Sequence, residues 1–107
     1  MNGRIINIPS EQYKNWHKQA SQQLIGVDKI DGVCEIQIEF FMPDKRKADL
    51  TNKAESILDL LVDVGIIKDD SWKYVPSLFL RFNCVDKENP RAEIWVRTQE
   101  NKETNEQ

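Results

Sequence analysis

Hydrophobic and polar residues alternate most regularly between Val33 and Met42. Cys34, Ile36, Ile38, Phe40 and Met42 fall on one side, and Glu35, Gln37 and Glu39 on the other. A period of two belongs to an extended chain with one buried and one wet face. A strand is therefore expected here, stopped by Pro43. Phe41 interrupts the polar side, which predicts a cover over that position. Two more runs share this period. In Leu78–Val85 the inward set is Leu78, Leu80, Phe82 and Cys84; in Arg91–Thr98, Ala92, Ile94 and Val96 oppose Glu93, Trp95 and Arg97. The short connection Asp86–Pro90 predicts an antiparallel hairpin between them. The β-branched run Arg4–Ile8 predicts an added edge strand.

A period near 3.6 governs two other stretches. Tyr13, Trp16, Ala20 and Leu24 recur at steps of three and four, and predict a first helix with Ser10 as its N-cap, Glu11 in its first turn and Gly26 at its end. In the second, Ala54, Ile57, Leu58, Leu60, Leu61 and Val64 form one apolar arc, while Asn52, Glu55, Asp59 and Asp63 gather opposite. Asn52 is the expected N-cap, with Glu55 at the capping-box position, and Gly65 the expected left-handed stop. The order β-α-β-α-β-β predicts one α+β domain over residues 1–98. It has two layers, a small mixed or antiparallel sheet with helices packed on one face. From Gln99 the tail holds no apolar residue, and disorder is expected there.

Charge narrows the picture. The net charge of −3 removes a global basic field as a source of nucleic-acid affinity, so any such binding needs a local patch. No apolar run reaches the ~18–20 residues of a membrane span. No signal-peptide pattern opens the chain either, so a cytoplasmic location is expected. Cys34 and Cys84 lack metal-ligand spacing and are expected as reduced, mostly buried thiols. His17, the single histidine, is either a general base or ligand or an ordinary surface residue.

The chemistry concentrates between Asp44 and Asp70. Lys45, Arg46 and Lys47 stand directly against Asp49, and the second helix ends before the adjacent acids Asp69 and Asp70. Carboxylate oxygens suit a hard divalent cation, and neighbouring cations would offset their repulsion of an anionic substrate. The pattern points to phosphodiester cleavage with Asp49, Glu55 and one of the acidic pair around a metal. For Glu55 a cap role stands beside the ligand role, and the basic run reads either as a phosphate-binding patch or as a solvated loop.

The stretch FMPDKRKADLTNKAESILDLLVDVGIIKDD resembles the central block of the RusA family of Holliday-junction resolvases. It matches in Met42-Pro43-Asp44, Lys45–Lys47, Asp49-Leu50-Thr51-Asn52, Asp59-Leu60-Leu61, Gly65 and Asp69-Asp70. IPSEQYKNWHKQA is similar to the family's first helix. The resemblance implies a Mg²⁺-dependent endonuclease, with Mn²⁺ able to substitute, acting as a homodimer on branched DNA. It places metal-binding aspartates at Asp49 and in the pair Asp69 and Asp70, with Asp70 favoured. Lys45, Arg46, Lys47, Lys53 and Asn52 are the implied DNA contacts. Two departures stand out. The family's second aspartate is Thr51 here, with Glu55 one turn further on as its expected replacement, and members usually carry a strand and a polar loop before the segment similar to Asn2–Arg4. An inactive branched-DNA binder or phage accessory protein that retains the fold is the alternative. Phe41, Phe79 and Trp95, apolar residues on polar strand faces, are the candidates for a dimer interface.

Overall fold

The strand with the cleanest alternation lies inside the sheet. A computed structural model describes residues 3–10 and 15–99, in the order β1 (Gly3–Pro9), α1 (Trp16–Gln23), β2 (Cys34–Met42), α2 (Leu50–Asp63), β3 (Ser77–Val85) and β4 (Arg91–Thr98). The strands form one sheet in the order β1-β4-β2-β3. β4 is antiparallel to both β1 and β2, whereas β3 runs parallel to β2. The sheet is thus mixed, and the chain is the α+β fold its patterning predicts. Tyr13 and Glu11, expected in the first helix, and the tail beyond Gln99 lie outside the described residues.

Both helices pack on the same face of the sheet, α1 over β1 and α2 over β3. The core joins Ile36, Ile38 and Phe40 of β2 to Ile94 and Val96 of β4 and to Ala54, Ile57, Leu60 and Leu61 of α2. The apolar arc of α2 is therefore its buried arc. Its far end closes as expected. Gly65 sits at φ 82°, its N–H donates to the Val62 carbonyl at 3.0 Å, and the Ile66 N–H donates to the Leu61 carbonyl at 2.9 Å. That pair of bonds is a Schellman closure, and a side chain at position 65 would strain it.

Several expectations are corrected. β3 and β4 do not form a hairpin, because β2 lies between them. β2 carries the most continuous buried face and takes an interior place, and the link Asp86–Pro90 passes over its end. There the Asp86 N–H donates to the Met42 carbonyl at 2.7 Å. β3 is consequently an edge strand whose supposed inward set is only partly covered. Leu78 and Phe82 are 39% and 52% exposed, and Cys84 is exposed rather than buried. Cys34 is buried as expected, and burial pushes its thiol pKa up. The described first helix runs from Trp16, after Asn15 in the left-handed region (φ 59°), and the expected first turn after Ser10 lies outside the described residues. Trp16 fixes the approach to the helix by donating its indole N–H to the Pro9 carbonyl at 2.7 Å.

Phe41 has the cover that its place on a polar strand face required. The Arg91 guanidinium lies 3.8 Å from its ring centroid, and Arg91 is its cross-strand partner. Phe41 is therefore buried and unavailable for an interface, whereas Phe79 and Trp95 stay exposed.

Ile38 is fully buried at the centre of this core, and Ile25 is exposed. Ile38→Ala should cost about 2–5 kcal/mol by lost transfer energy and a cavity. Ile25→Ala should stay within about 0.5 kcal/mol of wild type. Urea unfolding of the two variants measures the difference.

Candidate functional site

Asp49 begins α2, and its side chain does the capping. Its Oδ1 accepts from the Thr51 N–H at 3.0 Å, from the Thr51 hydroxyl at 2.6 Å and from the Asn52 N–H at 3.4 Å. The helix thus starts three residues before Asn52, and the expected capping box from Asn52 to Glu55 does not form. An aspartate outcompetes the later asparagine here because it meets two orphan N–H groups with a full charge at the positive end of the helix. The Thr51 hydroxyl, followed by the Asn52 and Thr51 amides, holds the Asp49 carboxyl below its ordinary pKa. Among the described residues its Oδ2 takes no hydrogen bond, so an ionised, solvent-facing oxygen remains. Thr51 orients this carboxylate from the very position where the family resemblance leads one to expect a second acid.

Cations surround this end of the helix. Ser10, Met42, Pro43, Asp44, Arg46, Lys47, Ala48 and Lys53 line one open depression. Lys53 lies one turn from Asp49, on the same side of the helix. Lys45 and Lys47 are exposed. Arg46 is less available, since its Nε and Nη2 donate to Asp44 Oδ2 at 3.1 and 2.9 Å. That pairing and the Arg46 N–H lower the Asp44 pKa. The depression was legible only in part. The basic run announces it, but Ser10 arrives from the end of β1, and no local spacing signals that.

The acids expected beside Asp49 are elsewhere. Asp69 and Asp70 are exposed and follow the far end of α2, whose 14 residues span about 21 Å at 1.5 Å per residue. The same loop stays at the start of β2, where the Ile30 N–H donates to Ile66 at 2.7 Å and the Cys34 N–H donates to Tyr74 at 2.9 Å. Lys68 pairs with Asp31 there at 3.1 Å. Glu55 is exposed about 9 Å along the helix from Asp49 and about 120° around it. Among the described residues no three His, Cys, Asp or Glu side chains gather closely enough to hold a metal. One protomer therefore does not bring Asp49, Glu55 and Asp70 together.

His17 lies beside the last turn of α2. Its Nε2 lies 3.1 Å from Asp63 Oδ2, and both side chains are exposed, which ties α1 to the last turn of α2. On the open sheet face, Glu35 pairs with Arg97 at 2.6 Å and Glu39 accepts from Gln37 and Asn83 at 2.8 Å each. No described helix is long and apolar enough to cross a membrane.

A family model described as "Endodeoxyribonuclease RusA" matches residues 3–97. A relative from Aquifex aeolicus (strain VF5), named "Crossover junction endodeoxyribonuclease RusA", is 29% identical over 72 residues. That match spans 64% of this chain and 56% of the relative, so the chain covers little more than half of that protein's length.

The cap gives a prediction about stability. Asp49→Asn should leave Tm near wild type, because asparagine caps as well, while Asp49→Ala should lower it. The Asp49 pKa is depressed in the folded state, so its stabilisation is complete above the ordinary carboxylate pKa of about 3.9. It is lost as pH falls through the lower folded value. Thermal melts from neutral pH downward should show wild type and Asp49→Ala converging at the acid end.

Proposed function

Since the chain belongs to the RusA endodeoxyribonuclease family, matched across residues 3–97, we propose that it cuts branched DNA, with the four-way Holliday junction as its main substrate. The observation that carries this reading is the pairing of an ionised, outward-facing Asp49 with the basic depression beside it. Fixed cations at one end of an otherwise acidic molecule guide a phosphate backbone to that end. Lys45, Lys47 and Lys53 supply donors there, with Arg46 adding a donor beyond those spent on Asp44. Asn52, in the first turn of α2, stands beside the same backbone path.

Mg²⁺, with Mn²⁺ able to replace it, is the proposed cofactor, and Asp49 is the carboxylate that would hold it at this end. Asp49 alone does not fit that task, because a hard cation held by protein takes more than one carboxylate or a carboxylate with substrate oxygens. Asp70, Asp69 and Glu55 keep their proposed roles as further ligands, but a single protomer does not deliver them. The same shortfall, together with Thr51, favours a second reading in which the protein binds junctions without cutting them.

A four-way junction incubated with and without Mg²⁺ separates the two. The first reading expects nicking that needs the ion, loss of nicking in Asp49→Asn, and retained junction binding in that variant. Binding without any nicking by wild type would favour the second. If the basic residues contact phosphate, Lys45→Ala and Lys47→Ala should each weaken junction binding and flatten its logarithmic salt dependence by about one unit. A salt slope unchanged in both would remove the basic run from the interface.

A further inference from the structure

Ser10 is the one buried polar side chain among the described residues, only 9% exposed. Among those residues its hydroxyl makes no hydrogen bond. A buried hydroxyl is costly unless an acceptor reaches it. The sheet explains where Ser10 lies. Pro9 pairs with Arg91 across β1 and β4, and Arg91 pairs with Phe41 across β4 and β2. Ser10 therefore leaves the sheet beside the last residues of β2, where the basic loop begins. The Trp16 indole holds the Pro9 carbonyl at 2.7 Å and fixes this exit.

The side chain stands at the boundary of two hollows. Behind it is a small slot walled by Trp16, Phe40, Met42 and Ile57, whose charged lining groups are Lys53 and Arg91. Both of these donate and neither accepts the hydroxyl hydrogen. In front is the open depression at the start of α2, about 220 Å³, which Ser10, Met42 and Lys53 also line. Its charged groups are Arg46, Lys47, Lys53 and Asp44. Asp44 is the sole carboxylate of the four, and the Arg46 guanidinium already occupies it at 3.1 and 2.9 Å. A buried hydroxyl and three cationic side chains thus form a donor set that lacks an acceptor. The depression is several times the roughly 30 Å³ of a water molecule, so it has room for a larger anion.

We propose that the depression holds one phosphate of the DNA backbone and that the Ser10 hydroxyl is its uncharged donor, a contact that rests on the proposed nuclease function. A phosphodiester oxygen accepts from Ser10, while Lys47 and Lys53 approach the same group from the loop and from the first turn of α2. The two kinds of donor do different work. Lysines attract the backbone from any direction and carry no register. A buried hydroxyl makes a short, directional bond to an anionic oxygen, and so fixes which phosphate stops there. Asp49 begins the same helix. The phosphate held by Ser10 therefore sets how the strand lies against the Asp49 carboxylate.

Ser10→Ala removes the hydroxyl and leaves the cations in place; Ser10→Cys keeps the shape with a far weaker donor. Fluorescence anisotropy of a labelled four-way junction, over a salt series without Mg²⁺, compares both with wild type. Each variant should bind about tenfold more weakly, with an unchanged logarithmic salt slope, because a neutral donor releases no counterion. Junctions in which single phosphates near the crossover are replaced by methylphosphonate locate the contact. Wild type should lose affinity at one position where Ser10→Ala loses nothing further. Equal losses by both proteins at every position would overturn the proposal. Unchanged junction binding with a lowered Tm would assign the hydroxyl to a helix cap and overturn it as well. Wild type that binds no junction would overturn the phosphate site together with the nuclease reading. A Ser10-dependent contact in a protein that never nicks with Mg²⁺ would uphold the site and count against cleavage alone.

Discussion

The parallel pairing of β3 with β2 governs the whole arrangement. A parallel neighbour requires the chain to return to the starting end of β2 before β3 begins. α2 makes that return, and its length becomes the separation between the two acidic positions. Asp49 caps the helix at one end of the sheet, and the Gly65 closure delivers Asp69 and Asp70 at the other. No rotamer change of a short aspartate spans such a distance. The topology that places α2 on the core thus also divides the acidic residues.

The Asp49 end joins structure to chemistry economically. One oxygen of the carboxylate satisfies helix N–H groups and the Thr51 hydroxyl, while the other faces solvent. The bonds that stabilise the helix also keep the group ionised, since they favour its charged form. The capping role of Asp49 leaves its second oxygen open for the proposed one, and a conservative substitution separates the two.

Much of this was legible in the residues. The period-two runs identified β2, β3 and β4, and the apolar arc of α2 predicted its buried face. Other features depend on long-range packing that no local pattern encodes. The apolar residues of β3 look inward by alternation, yet Leu78, Phe82 and Cys84 are uncovered because β3 is at an edge. A five-residue connection suggested a hairpin, but β2 occupies the place between the strands. Asn52 and Glu55 fit a capping box in spacing, and Asp49 prevailed through its charge. The candidate acids and the basic run were named from the chain alone. The distance between them became visible only once the direction of β3 was known.

Double electron–electron resonance tests the separation of the two acidic positions most directly. Spin labels would be placed at Ala48→Cys and Asp70→Cys in a Cys84→Ser background, with Cys34 buried, and the labelled protein diluted into unlabelled protein so that only distances within one chain are read. The topology predicts a main distance on the scale of α2 itself, about 21 Å for its 14 residues. A distance well short of the helix length would contradict it.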